Sequence, residues 1–308
     1  MRESERATAS TAADTTSTAE TADHHTAHEE PDRSPVAVAR RLLDATRRSG
    51  AADGATGTSG DGAADTSGDG AADTSGDGAA DTSADEAVID GAGVDEALAE
   101  LAALSSTALA PVREDRATAL AFWLTLYNAG TQVLLAREPE RYESRLRGVR
   151  FFGYEWLEID GEWLSLDDIE HGILRGSQSK YGLGYLPRLP VVSVDAFERR
   201  YRLASVDPRI HFALNCGAAS CPPIRYYDPG EIDTQLDLAT AGYLDATVEY
   251  DPDAGVVTVP APFRWYPGDF ADPVAFLQRY DAVPADAEPR LQYESWDWSR
   301  APGKFASE

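Results

Sequence analysis

ALAFWLTLYNAGTQVLLA, residues 119–136, is apolar almost all round, and a helix that is hydrophobic on every face belongs at the centre of a fold. A helix is predicted over 114–137. Its interior polar residues Thr125, Asn128 and Gln132 are spaced three and four apart, so they share one face, where buried amides must find partners.

On the C-terminal side of this helix, YEWLEIDGEWLS (154–165) reads as a hairpin turning at Asp160-Gly161. Ser165, with Asp168 three residues on, caps a predicted helix SLDDIEHGILRG that Gly176 can end. Further helices are expected at 35–48, 94–110, 194–203 and 230–245, with another from 269 to 280 capped by Asp269. Strands are expected at RIHFALN (209–215), near 247–251, 256–260 and 263–266, and around LQYESWDW (291–298). Helices come mainly first and the strands alternate with short helices. The fold class this implies is α+β (mixed α/β), with helices packed on a small, mainly antiparallel sheet.

Composition divides the chain. All six Trp, thirteen Tyr and nine Phe fall at or after Phe122, so the material for a core lies in the last two thirds. Residues 1–33 read as a disordered acidic N-terminal tail, in which His24, His25 and His28 are a solvated run. TSGDGAAD occurs three times in register at 58–81. With no large side chain to bury, residues 50–87 read as a low-complexity insertion, and 34–49 with 88–308 as a single folded domain.

The formal net charge is −26, with −12 in residues 1–90 and −14 in 91–308, and Lys180 and Lys304 are the only lysines among 27 basic residues. Such a field disfavours nucleic-acid backbones and anionic membranes as partners. It fits a halophilic source, where molar salt shrinks the Debye length to about 3 Å and screens self-repulsion. The N-terminus has no apolar segment suited to a signal peptide, and no uninterrupted run reaches the roughly 18 apolar residues of a membrane span, so a cytoplasmic location is expected. There, thiols are reduced.

Cys216 and Cys221 are the only cysteines, and His211 lies close by in IHFALNCGAASCPP (210–223). If 209–215 is a strand, Ile210, Phe212 and Leu214 pack on one side, and Arg209, His211, Ala213 and Asn215 face the other. Thiol chemistry needs a base within hydrogen-bond reach, and this loop can supply one. Three readings stay open here: a thiol and histidine active site, a satisfied core histidine beside two buried cysteines, and a metal site using His211, Cys216 and Cys221 with His171 as fourth ligand. His171, placed after Asp167 and Asp168, is explained by pairing on a helix surface. Glu170 could orient a histidine elsewhere. The pairs Trp156 with Trp163 and Trp296 with Trp298 read either as sheet packing or as the walls of a cleft.

Five blocks in order, AFWLTLYNAGTQVLL, LSLDDIEHGILRG, DPRIHFALNCGAASCPPIRYYDP, PFRWYPGDF and SWDWS, resemble the domain of unknown function 547 family. That likeness runs from about 118 to 299 and makes the octapeptide repeats an insertion peculiar to this chain. It implies a domain similar to the papain-like and transglutaminase-like group, in which a cysteine at a helix start meets a strand histidine. Here Asn128 stands in the central helix and the cysteines follow His211, so the usual order is absent: either the site is rearranged or thiol catalysis has been lost.

The expectation is a hydrolase or acyl transferase with Cys216 or Cys221 as nucleophile, His211 as base, and Asn215 or Asn128 as an orienting or oxyanion-stabilising amide. Arg209, Glu170, His171 and Gln132 are the expected substrate contacts. No cofactor is expected, and the ligand would be a small molecule or peptide. The alternatives are a non-catalytic binding domain and a structural metal site.

Overall fold

The computed structural model describes residues 32–47, 89–187 and 194–307. The acidic tail up to residue 31 and the repeat insertion lie outside the described residues.

Helix α4 (Arg116–Arg137) is the axis of the molecule. Asp115 caps it, its Oδ2 accepting the Thr118 N–H at 2.8 Å and the Thr118 hydroxyl at 2.6 Å. Every residue from Ala119 to Leu135 is buried. By length and composition alone α4 could cross a membrane, but 94% of its apolar window is buried inside the fold. The residues around it explain why. Helix α1 (Pro35–Thr46), started by Ser34 and a proline at its first position, lays Val38, Ala39, Leu42 and Leu43 into the core and packs on both α4 and α2 (Gly91–Ala102). Gly130 lets the Trp156 indole lie directly on α4, since a Cβ there would come within 2.1 Å of the ring.

Short helices α3 (Ala110–Glu114), α5 (Pro139–Glu143) and α6 (Arg147–Arg150) flank α4. The predicted hairpin forms from β1 (Leu157–Ile159) and β2 (Glu162–Leu164), with Asp160 and Gly161 both at positive φ as a tight turn requires. The Ser165 capping box also forms: the Ser165 hydroxyl accepts the Asp168 N–H at 3.2 Å while Asp168 Oδ2 accepts the Ser165 N–H at 3.1 Å. The turns beyond this box are wider than those of an α-helix. Asp168–Leu174 is a π-helix, a rare form that is frequent at functional sites, and Gly176 ends it at φ 61°.

Helix α7 (Ala196–Tyr201) precedes the main departure from expectation. Residues 209–215 form no strand; Pro208–Phe212 is a 3-10 helix. Asp207 accepts the Arg209 N–H at 3.1 Å, and Pro208 at the first position has the φ a helical turn needs. That local start overrides the alternating pattern. The turn sits between two cores: Ile210, Ala213 and Leu214 join the cluster around α4, while Phe212 enters an aromatic cluster with Phe263, Phe270 and Phe276.

Helix α8 (Ile232–Thr247) leads into β3 (Glu249–Asp251) and β4 (Val256–Val259), an antiparallel pair, with β5 (Arg290–Tyr293) parallel to β4. The architecture is thus mixed helix and sheet, as expected, but the strands make two small sheets rather than one, and the second has a parallel edge. The strand expected at 263–266 is instead α9 (Pro262–Trp265), and α10 (Pro273–Arg279) is capped by Asp272, not Asp269. An aspartate followed by proline marks the cap; Asp269 serves elsewhere. The last strand ends at Tyr293, so Trp296 and Trp298 are not sheet residues.

Candidate functional site

Between α4, the π-helix, the 3-10 turn and α9 lies a cavity of about 430 Å³. One side is aromatic: Trp265 stacks on Trp298 at 5.6 Å and meets Trp296 edge-on at 5.1 Å. The other carries Glu170, His171, His211, Cys216 and Cys221. An apolar wall facing a few convergent polar groups is the usual build of a ligand site.

The polar side is tightly wired. His211 Nε2 lies 2.8 Å from Asp269 Oδ2. Arg175 closes a fork on the same carboxylate, Nε to Oδ2 at 2.7 Å and Nη2 to Oδ1 at 3.1 Å, and both side chains are sealed from solvent. Arg175 also rests 3.9 Å over the Tyr266 ring and places Nη1 3.0 Å from His171 Nδ1. Tyr266 stacks on His211 at 4.9 Å and 16°. Burial pushes the Asp269 carboxyl up, but the hydrogen bonds from His211 and Arg175 outweigh it and hold it below the usual carboxylate range. An ionised Asp269 fixes the proton of the neutral imidazole on Nε2 and leaves Nδ1 as the basic nitrogen.

The π-helix sets up the neighbouring groups. Glu170 Oε2 accepts the Tyr127 hydroxyl at 3.0 Å, and burial, then the Glu170 charge, push that phenol well above its ordinary range. Asp167 receives Lys180 Nζ on both oxygens at 2.8 Å. Burial nevertheless pushes its carboxyl up to about 6. His171 is buried within this network rather than on a helix surface.

Cys216 and Cys221 are free and lie with their sulfurs 2.6 Å apart. The Cys216 N–H donates to Cys221 Sγ at 3.0 Å. Burial pushes the Cys221 thiol up, but the hydrogen bonds it accepts from the Cys216 thiol and nearby backbone hold it below the usual thiol range. The Cys216 thiol, hydrogen-bonded to Cys221 and desolvated by the protein packed around it, is held well above that range.

The remaining expected site residues stand apart from the cavity lining. Asn128 is spent on the backbone, its Nδ2 donating to Ala213 O at 3.0 Å and its Oδ1 accepting the Asn215 N–H at 2.8 Å. Asn215 accepts the Gly217 N–H at 2.9 Å and donates to Pro222 O at 2.8 Å. Gln132 accepts the Gly303 N–H at 2.7 Å. Arg209 is bound to Asp207, Asp233 and Asp237. Among the described residues, no group of three or more His, Cys, Asp or Glu side chains could hold a metal ion. Asp269 and Tyr266, which hold His211, and Arg175, which grips Asp269, are polar residues that sequence reasoning missed. All three lie in LSLDDIEHGILRG or PFRWYPGDF, two of the blocks that carry the family likeness, and that was the available signal.

The family model described as "Protein of unknown function, DUF547" matches residues 112–244. No curated protein and no solved structure matches the chain.

Proposed function

With residues 112–244 placed in the DUF547 family, we propose that this chain is a thiol-dependent acyl-transfer enzyme or hydrolase acting on a small molecule or peptide. One observation carries the reading: Cys216 lines the same cavity as His211, whose Nε2 is held by a buried carboxylate at 2.8 Å. A thiol, an imidazole and an acid that orients the imidazole are the parts that nucleophilic acyl transfer requires.

Cys216 is the nucleophile because it is the more exposed of the pair. Its proton passes to His211 Nδ1 as Cys216 attacks the acyl carbonyl, and Asp269, on Nε2, steadies the imidazolium that forms. That imidazolium protonates the leaving group as its bond to the acyl carbon breaks, and the neutral His211 then takes the proton of the acceptor and returns it to the Cys216 sulfur as the thioester breaks. Water or a second nucleophile takes the acyl group from the thioester. The aromatic wall of Trp265, Trp296 and Trp298 would hold the apolar part of the ligand.

Reaction of the whole protein with a p-nitrophenyl ester tests the reading. A burst of p-nitrophenol matching the enzyme concentration, with acyl mass on Cys216 that vanishes in Cys216→Ala, is expected. Ester turnover unchanged in that variant would overturn it. If the variant loses nothing while ligands still quench the Trp fluorescence, the aromatic wall serves a non-catalytic binding domain.

A further inference from the structure

The acyl-transfer reading uses one cysteine as nucleophile, yet the structure holds two thiols in contact at the end of the same cavity. We infer that Cys216 and Cys221 form a dithiol centre that exchanges with low-molecular-weight disulfides and closes to an intramolecular disulfide. This is a separate activity and does not rest on acyl transfer.

Placement comes first. The sulfurs are 2.6 Å apart, and a shift of roughly 0.5 Å would bring them to bonding distance. Their proximity is built by the loop rather than by the sulfurs. The Asn215 side chain clasps both ends of CGAASC, accepting from Gly217 N and donating to Pro222 O. Within the loop the Cys221 N–H donates to Ala218 O at 3.0 Å, and the Ala219 N–H is tied to Ser299 O at 2.9 Å. Gly217 turns the chain at φ 85°, pressed against Leu135 so closely that a Cβ would fall 2.9 Å from its methyl carbon. Lys304 Nζ donates to Ala219 O at 2.8 Å, bringing a positive charge to the loop.

Access comes second. Cys216 is partly exposed and Cys221 is buried, and both line the cavity. That asymmetry assigns the order of attack. Cys216 passes its proton to the Cys221 sulfur across the contact as it attacks one sulfur of a disulfide RSSR, whose S–S bond breaks to give a mixed disulfide and RS⁻, which takes that proton. The Cys221 thiolate then attacks the Cys216 sulfur; the protein disulfide forms, the mixed disulfide breaks and a second RS⁻ leaves. The cysteine pair is oxidised by two electrons and RSSR is reduced to two RS⁻ groups; the Cys216 proton ends on the first, and the second leaves as a thiolate that water protonates. Because the resolving thiol is already in contact, the second step outruns release or accumulation of the adduct.

The probe is oxidised glutathione, applied to the reduced full-length chain and followed by intact mass and thiol titration. The wild-type protein should lose both titratable thiols and two hydrogens in mass, retain no glutathione, and recover fully with dithiothreitol. Cys221→Ser should accumulate one glutathione on Cys216, and near-UV circular dichroism checks that it is folded. A wild-type chain that keeps a stable glutathione adduct, or whose thiols react only in urea, would overturn the proposal without reference to any variant.

Discussion

His211 and Asp269 meet at 2.8 Å although 58 residues separate them in the chain, and the carboxylate, which Arg175 also grips, is fully buried. Removing that carboxylate strands a buried guanidinium. Asp269→Ala is therefore expected to lower stability by about 3–5 kcal/mol, the usual cost of breaking one side of a buried pair, read as a fall in urea midpoint. Asp269→Asn keeps the shape but not the charge. It should fold and lose roughly 10²–10⁴ in p-nitrophenyl ester acylation, the contribution of an oriented general acid or base.

The two displaced carboxyls give opposite pH slopes. Asp269 is held low, so its stabilisation is present above the ordinary aspartate pKa of about 3.9 and is lost as pH falls through its lower folded value. Asp167 is raised to about 6. In the folded state it keeps its proton where the unfolded chain has lost it, so its contribution is complete below the ordinary pKa and disappears as pH rises to about 6. Asp167→Asn should flatten the stability profile between about pH 4 and 6, measured by urea titration at fixed ionic strength. A wild-type profile that already rises through that window would contradict the assignment.

Gly184 stands at φ 77°, where a Cβ would fall 2.5 Å from Asp269 Oδ1 and 2.6 Å from its backbone nitrogen. Gly184→Ala meets backbone as well as strain, and is expected to cost about 1–3 kcal/mol and to slow alkylation at the cavity. Gly161→Ala is the control, since a Cβ there touches nothing within 4 Å. It should carry the backbone penalty alone and leave cavity chemistry untouched.

Asn128→Ala tests whether α4 holds the cavity loop in place. It orphans Ala213 O and Asn215 N, both buried, at about 1–3 kcal/mol for each group left without a partner. Hydrogen exchange at the Asn215 amide should speed up in step with the loss of thermal midpoint.

Charge of −26 with only two lysines leads to an expectation about salt. Molar KCl should raise the thermal midpoint, and no gain between about 0.1 and 2 M would refute adaptation to a salt-rich interior.

What could be read in the sequence was whatever is decided locally. The apolar run of α4, the Asp160-Gly161 turn and the Ser165–Asp168 box each depend on residues within a few positions, and each forms as expected. The stretch 209–215 failed because its alternation fits a strand while Asp207-Pro208 starts a helical turn, and the local start won. Asp269 precedes a helix and so reads as a cap, although Asp272-Pro273 is the stronger cap signal. Its pairing with His211 and Arg175 depends on tertiary packing, and no local pattern encodes that. The thiols and His211 were visible as rare residue types; that they share one cavity with Trp296 and Trp298 was not.

Helix α4 is apolar on all sides, and its flank is kept dry by α1, which begins more than seventy positions before the family-matched span. Excision at 112 and 244 would strip away that cover and also remove Asp269 and the tryptophan wall. The stretch that the family model matches is therefore smaller than the unit that packs around α4 and lines the cavity. A fragment cut to it should aggregate, with His211 left beside a gap where its carboxylate had been.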